Sequence, residues 1–191
     1  MNTLIFIRHG ETDMAGRFCG HSNPELNPAG ELQIALAAEQ AARLGIERIY
    51  SSDLLRASRT AEVIGRRIGV EPELRESLRE IYFGSWEGLS WKEIEARYSL
   101  EASRWMQEFP SRSAPGGEDY AAFTARVEAA IEPLLQEALH RTIAVVTHRG
   151  VMRYVLARFF AIAEEEAWTR TAPYGAMVIT AVRRTGCEVL P

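Results

Sequence analysis

Short apolar runs alternate along the chain with longer stretches in which apolar residues recur at helical spacing. Three of these runs, residues 4–7, Arg48–Ser51 and 142–147, have the length of strands and lack the regular alternation of a half-exposed sheet. Two further runs, residues 176–182 and 187–190, predict a closing pair of strands. The pattern therefore predicts a sheet whose main strands are buried on both faces.

Helix start signals follow the first two strands. Asn27 precedes a proline and predicts the N-cap of a helix that ends near residues 44–45. Ser52 or Asp53 is expected to cap a second helix, which runs to about residues 68–69. Strands that alternate with helices in this way indicate a layered α/β structure.

A long excursion over residues 70–115 interrupts the alternation. We expect two short helices within it, one of which opens at Ser90 with Glu93 three residues later, the spacing of a capping box. Residues 10–26, rich in glycine, asparagine, aspartate and proline, predict a loop. The remaining helices are predicted over residues 117–140, where Pro133 bends or interrupts the helix, and over residues 150–160.

The order of elements predicts an α/β three-layer sandwich with a mostly parallel central sheet flanked by helices. We expect one domain over residues 1–191, with the excursion covering the functional site. Ligands of such folds bind at the carboxyl ends of the strands. Arg8 and His9 end the first strand, residues 51–56 follow the second, and His148 ends the third. These polar groups are therefore expected to meet at one edge of the sheet.

The composition of the chain indicates which kinds of molecule it binds and where it acts. The 191 residues are 47% hydrophobic and 25% charged, the balance of a globular enzyme. Because the net charge is −4, we expect no general attraction to nucleic acid or to a membrane, and a bound anion needs a local cluster of cations. Cys19 and Cys187 predict no disulfide framework and favour a cytoplasmic location. Residues 1–7 lack a basic start and predict a strand rather than a signal peptide.

Arginine and histidine at the strand ends suit the chemistry of phosphate esters. The transferred group carries about two negative charges and needs cations around its oxygens. Arg8 and Arg56 offer planar donor forks, and His148 can donate a charge-assisted hydrogen bond. An unprotonated nitrogen of His9 can attack phosphorus and form a phosphohistidine. Gly10 permits the close backbone approach and sharp turn that follow the strand.

Five segments resemble, in order, the blocks of the histidine phosphatase superfamily, the group that includes cofactor-dependent phosphoglycerate mutases. They are RHGET at 8–12, SSDLLRASRTA at 51–61, LREIYFGSWEG at 78–88, PGGE at 115–118 and VTHRGV at 146–151. The resemblance implies the same fold and a phosphohistidine mechanism without a metal or cofactor.

The resemblance also implies roles for individual residues. Glu80 matches the general acid that protonates the leaving group. The catalytic set is then His9, Glu80, Arg8, Arg56 and His148, with Thr12, Cys19 and Gly20 as further candidates for phosphate binding. Thr12 could instead only close a turn. The alternatives for the acid are Glu11, Glu76, Glu87 and Glu118.

Three departures from the family pattern bear on the substrate. Ala15 stands where many members carry an asparagine that contacts the phosphoryl group. Arg149 follows His148 where a small residue is common, and it either adds a cation beside the substrate or points to solvent. Gly20 and His21 resemble the alpha-ribazole phosphatase branch, which acts in cobalamin assembly.

These observations predict a phosphomonoesterase for a small phosphorylated metabolite, with alpha-ribazole phosphate as the first candidate. A mutase is the alternative, but the mutases have longer segments that exclude water, whereas this chain ends at Pro191. A non-catalytic phospholigand-binding module is a further alternative, and a homodimer is left open. Six aromatic residues are expected either to line the leaving-group pocket or to belong to the core: Phe18, Tyr82, Trp86, Trp91, Trp105 and Phe109.

Overall fold

The computed structural model describes residues 3–183 and 186–190. Its strands are β1 (Thr3–Arg8), β2 (Arg48–Ser51), β3 (Pro72–Leu74), β4 (Ile143–Thr147), β5 (Met177–Arg183) and β6 (Gly186–Val189). Its helices are α1 (Pro28–Ala41), α2 (Leu55–Ile68), α3 (Trp91–Arg97), α4 (Ser99–Glu108), α5 (Tyr120–Ala138), α6 (Arg149–Phe160) and α7 (Glu164–Arg170). None of the helices in this described part of the chain is long and apolar enough to cross a membrane. The predicted strand over residues 1–7 includes Met1 and Asn2, and the predicted domain also includes Pro191. These three residues lie outside the described ranges.

One sheet with the strand order β3-β2-β4-β1-β5-β6 forms the centre of the molecule. The first four strands in that order run parallel, whereas β5 pairs antiparallel with β1 and β6 antiparallel with β5. Arg8 at the end of β1 lies opposite Thr147 at the end of β4, so both strands stop at the same edge. The prediction of a mostly parallel sheet is confirmed.

Helices cover both faces of this sheet because side chains of β1 alternate between them. Leu4 and Phe6 pack in the core under α5 and α6, while Ile5 and Ile7 pack with α1 and α2. All four side chains are fully buried. The predicted three-layer sandwich is therefore confirmed, and the buried runs read from the sequence are its central strands.

The start of α2 differs from the prediction. The helix begins at Leu55 without a side-chain cap, so neither Ser52 nor Asp53 caps it. Ser52 Oγ lies 2.8 Å from His148 Nε2 and accepts from Leu54 N at 3.3 Å, before the first turn of the helix, and Asp53 forms a salt bridge with Arg79. These tertiary contacts outcompete the local cap.

Other helix boundaries also differ. The first helix ends at Ala41 rather than near residues 44–45, and α5 begins only at Tyr120 because the Asp119 side chain accepts a hydrogen bond from Ala121 N. Of the two outcomes predicted at Pro133, a bend or an interruption, the interruption is wrong, since the helix continues through this residue. Packing of this long helix onto the sheet outweighs the local preference of one proline.

The excursion contains the two predicted short helices, α3 and α4. Ser90 caps α3 in the predicted box: its hydroxyl accepts from Glu93 N, and the Glu93 carboxylate accepts from Ser90 N. The edge strand β3 and the helix α7 have no counterpart among the predicted elements. Most of β3 is exposed, so its sequence carries no buried apolar run.

Replacing Asn27 by alanine is expected to lower the free energy of unfolding by about 1 kcal/mol, the usual value of an N-cap. Asn27 Oδ1 accepts a hydrogen bond from Gly30 N at 2.8 Å, and alanine leaves that donor unpaired. Urea denaturation of the variant measures the loss. Asn27→Ser keeps a capping oxygen and should recover most of the difference; equal losses in both variants would contradict the capping role.

Candidate active site

Four of the predicted site residues meet at the carboxyl edge of the sheet. Arg8 ends β1 and His9 follows it, while His148 follows β4 and Arg56 lies in the first turn of α2. The ring centroids of His9 and His148 are 5.1 Å apart. All four side chains are buried. The structure thus brings two imidazoles and two guanidinium groups into one cluster.

His9 is held as a neutral imidazole with one accepting nitrogen. Its Nδ1 lies 2.7 Å from Gly10 O, and because a carbonyl only accepts, Nδ1 carries the hydrogen. Nε2 is then the unprotonated nitrogen, and it accepts from Arg56 Nε at 3.3 Å. Burial and the Arg56 charge hold the pKa of His9 well below its usual value. The Nε2 lone pair is therefore present at neutral pH.

Gly10 allows the chain after His9 to pass close to α1. A Cβ at this position would lie 2.8 Å from Gly30 O, which is shorter than real Cβ contacts. The Gly10 N–H donates to Thr60 Oγ1 at 3.2 Å, so the turn is also tied to α2. The carbonyl that orients His9 is fixed by this tight packing.

Arg56 connects His9 to the loop over residues 19–22. Its Nη1 donates to Ser22 O at 2.7 Å, and its Nη2 donates to Cys19 O at 3.1 Å and Gly20 O at 2.7 Å. With the bond from Nε to His9, these contacts engage four of the five N–H groups of a guanidinium. Arg56 therefore organises the site as well as supplying charge.

Arg8 is fixed by the segment that precedes β5. Its Nη1 donates to the carbonyls of Thr171 and Ala172, and its guanidinium lies 3.8 Å from the ring centroid of Tyr174. Burial lowers the pKa of Arg8. Among the described residues its buried Nε has no hydrogen-bond partner. This cation is thus positioned by the protein while one donor remains free for an anion.

His148 has a similar nitrogen without a partner. Its Nε2 lies 2.8 Å from Ser52 Oγ, and its buried Nδ1 has no partner within the described ranges. Burial and the neighbouring charge of Arg56 lower the pKa of His148 well below its usual value. An anion placed between the imidazoles would offset this effect by favouring the protonated ring.

Glu80 lies beside this cluster and is 8% exposed. Its carboxyl oxygens accept from two backbone groups, Oε1 from Ile81 N at 3.0 Å and Oε2 from Gly150 N at 2.8 Å. A Cβ at Gly150 would lie 2.3 Å from Glu80 Oε1, so only glycine leaves room for this carboxyl. Together with Arg8, His9 and Thr12, Glu80 lines a cavity of about 800 Å³.

A model of a known protein family matches this site and nearly all of the chain. The family model described as "Histidine phosphatase superfamily (branch 1)" matches residues 4–190. The chain belongs to the histidine phosphatase superfamily. The family predicted from the five sequence blocks is therefore confirmed.

Two curated relatives of this chain are named for different substrates. Phosphoserine phosphatase 1 of Hydrogenobacter thermophilus is 29% identical over 171 residues, 88% of this chain and 81% of that protein. The adenosylcobalamin/alpha-ribazole phosphatase of Salmonella typhimurium is 28% identical over 167 residues, 86% of this chain and 83% of that protein. The crystal structure of the alpha-ribazole phosphatase from Shigella flexneri matches the fold with a TM-score of 0.88 at 24% identity, covering 98% of this chain and 94% of that one. This chain is thus an enzyme of the phosphatase class.

The other acids considered for proton donation in this histidine phosphatase have different surroundings. The Glu87 carboxylate accepts from three consecutive N–H groups of residues 20–22 and from the Ser22 hydroxyl. Burial raises the pKa of Glu87, but the hydrogen bonds from the Ser22 hydroxyl and from the N–H groups of Phe83, Ser22 and His21 outweigh it and lower the pKa. Glu118 forms a salt bridge with Arg126. Glu11 accepts from Asn27 Nδ2, and Glu76 forms an exposed salt bridge with Arg79.

The three further candidates for phosphate binding are placed differently from one another. Thr12 is buried and lines the cavity, where its Oγ1 accepts from Met14 N at 3.2 Å. Cys19 also lines the cavity, and burial raises the pKa of its thiol. Gly20 donates its N–H to Glu87 and accepts from Arg56 with its carbonyl, so both of its backbone groups are engaged within the protein.

The six aromatic residues divide between the two expected roles. Trp86 is fully buried and belongs to the core of the excursion. The other five line the cavity: Phe18, Tyr82, Trp91, Trp105 and Phe109. The excursion therefore forms one wall of the cavity.

Several residues that shape the site are not predicted from the sequence. Tyr174 stacks on Arg8 and lies 5.7 Å from His9 between ring centroids. Arg126 Nη2 donates to Glu80 O at 2.9 Å, which fixes the backbone of the candidate acid. A Pro-Tyr-Gly turn before the last strands is the only local signal for Tyr174, and Arg126 looks like an ordinary helix charge. Among the described residues, no group of three or more histidine, cysteine, aspartate or glutamate side chains could hold a metal ion.

Proposed function

We propose that this enzyme hydrolyses phosphate monoesters of small metabolites through a phosphohistidine on Nε2 of His9. The observation that carries the proposal is the state of His9: Nδ1 is bound to Gly10 O, and the lone pair of Nε2 is directed into a cluster of cations. A neutral imidazole in this setting is an activated nucleophile. The unpaired Arg8 Nε supplies charge stabilisation that phosphoryl transfer needs, and His148 adds to it once the bound anion favours its protonated ring.

Two steps balance the reaction. In the first, His9 Nε2 forms a bond to phosphorus, the P–O bond to the leaving group breaks, and Glu80 gives its proton to the departing oxygen. In the second, the Glu80 carboxylate takes a proton from water, the water oxygen bonds to phosphorus and the P–N bond breaks. The position of Glu80, buried and on the wall of the cavity that His9 also lines, supports this assignment over the other glutamates. Its two backbone donors hold the carboxyl at that place.

Two substrates lead the candidates. The resemblance at Gly20 and His21 and the Salmonella relative support alpha-ribazole phosphate, whose ring system would suit the aromatic wall. The Hydrogenobacter relative supports phosphoserine. The unpaired thiols of Cys19 and Cys187 support a reaction in the cytoplasm.

Phosphate release from a panel of esters tests the proposal. The panel contains alpha-ribazole phosphate, phosphoserine, phosphoglycerates, sugar phosphates, nucleotides and p-nitrophenyl phosphate. We expect turnover of at least one ester with a metal chelator present, because the residues described above provide both nucleophile and cations. Activity that disappears with the chelator and returns with a divalent cation would contradict the scheme. Transfer of phosphate to a second metabolite in place of water would instead favour the mutase alternative.

A further inference from the structure

A second group of cations lies on the leaving-group side of the cavity. Arg149 and Arg153 are one turn apart on α6, and both line the cavity. Their guanidinium groups lie 3.6 Å and 4.5 Å from the ring centroid of Trp168 in α7. The exposed Trp168 ring thus holds two arginines at the cavity wall.

The charges of this pair are only partly balanced. Arg153 forms a salt bridge with Glu164, whereas Arg149 has no acidic partner among the described residues. Like charges four residues apart destabilise a helix. Burial and the charge of Arg149 both lower the pKa of Arg153, and Arg149 also lowers that of Arg8. Burial lowers the pKa of Arg149, and the nearby Tyr174 and Glu80 partly offset this effect. Arg149 is therefore a cation at the wall without a salt bridge among the described residues, and the acidic side chain near it is Glu80.

A purely structural role does not account for Arg149. Its Nη2 donates to Trp168 O at 3.3 Å, which joins α6 to α7. That bond uses one of five N–H groups, and the buried Nε has no partner within residues 3–183 and 186–190. Stacking on Trp168 fixes the plane of the guanidinium and leaves its remaining edge for a planar anion.

Arg149 lies close to the place where the leaving group of the substrate would be. Its neighbour Gly150 donates its N–H to Glu80 Oε2, so Arg149 begins α6 directly beside the proposed acid. We propose that Arg149 binds a carboxylate carried by the leaving group and thereby selects phosphate esters of hydroxy or amino acids. This assignment rests on the proposed function, because Glu80 marks the leaving-group side only if the enzyme transfers phosphate to His9.

A carboxylate fits better than a second phosphate. Glu164 balances Arg153, and Glu80 is neutral while it holds the proton for the leaving group, so Arg149 then supplies one positive charge, which matches a single negative charge. The guanidinium fork also matches the two oxygens of a carboxylate. Between the two leading candidates this favours phosphoserine, since alpha-ribazole phosphate has an uncharged nucleoside as its leaving group.

The test compares 3-phosphoglycerate with glycerol 3-phosphate, which has a hydroxymethyl group in place of the carboxylate. We expect the wild-type enzyme to prefer 3-phosphoglycerate in kcat/KM by about 10- to 100-fold, the effect of one hydrogen bond to a charged group. Arg149→Gln should remove most of this preference, and Arg149→Lys should retain part of it. Arg66→Gln, at an exposed arginine of α2, is the matched control and should keep the full preference.

Equal kcat/KM values for the two esters in the wild-type enzyme would overturn the proposal, and this result needs no variant. So would an unchanged preference in a folded Arg149→Gln variant, because a structural arginine lowers both values alike. If Arg149→Gln does not fold, the proposal is tested by the ratio of the two kcat/KM values in the wild-type enzyme and in Arg149→Lys. Failure of the wild-type enzyme to hydrolyse even p-nitrophenyl phosphate would instead overturn the proposed phosphatase mechanism.

Discussion

Replacing His9 by alanine is expected to lower phosphate release by on the order of 10⁴-fold or more, the scale on which the loss of a nucleophile acts. The reason is that Nε2 of His9 is the neutral nitrogen next to the cation cluster, while Nε2 of His148 lies against Ser52. Trapping with labelled substrate under alkaline conditions measures the phosphoenzyme, because acid destroys phosphohistidine. The wild-type enzyme should carry label and the variant should carry none.

His140→Ala is the matched control, because His140 is exposed and follows α5 away from the active site. That variant should be labelled like the wild-type enzyme. Label that persists in His9→Ala and disappears in His148→Ala would show that His148, and not His9, is the nucleophile. Circular dichroism of each variant checks that the loss is chemical and not a loss of fold.

Replacing Glu80 by glutamine is expected to slow phosphoenzyme formation from an alkyl phosphate by on the order of 10²–10⁴-fold, the usual contribution of general acid catalysis. Departure of p-nitrophenolate needs no proton, so formation from p-nitrophenyl phosphate should slow much less. Single-turnover kinetics measure both steps, and they avoid the later attack of water in which Glu80 also acts.

The structure adds a control to this comparison. Both oxygens of Glu80 accept from backbone N–H groups, and a glutamine amide can accept from only one of them. The substitution therefore also disturbs position, by an amount that both substrates share. The slowing measured with the alkyl phosphate, divided by that measured with p-nitrophenyl phosphate, therefore reports the contribution of proton donation alone. Equal losses would make Glu80 a positioning residue and direct the search for the acid to Glu11, Glu87 and Glu118.

The sequence predicts those parts of the site that follow from strand ends and local motifs. Arg8, His9 and His148 are found because parallel strands end at a common edge. Tyr174 and the tie between Ser52 and His148 join residues that are distant in the chain, so no periodicity or spacing indicates them. The same tie explains why the predicted cap of α2 is wrong. The orientation of Arg149 likewise depends on Trp168, which lies in an unpredicted helix.

The loop over residues 19–22 is held from two sides through its backbone. Glu87 accepts hydrogen bonds from N–H groups of this loop, and Arg56 donates hydrogen bonds to its carbonyls. An acidic and a basic side chain therefore hold the same short stretch of backbone. Two loop positions are restricted: the Ser22 hydroxyl also donates to Glu87, and a Cβ at Gly20 would meet Ile81 O. The contacts with Glu87 and Arg56 do not use the side chains of Cys19 and His21. We therefore expect these two positions to accept other side chains, during divergence or in a designed library, while the nucleophile beneath the loop keeps its place. On this expectation, substrate range can change in this enzyme without a change in the phosphoryl chemistry.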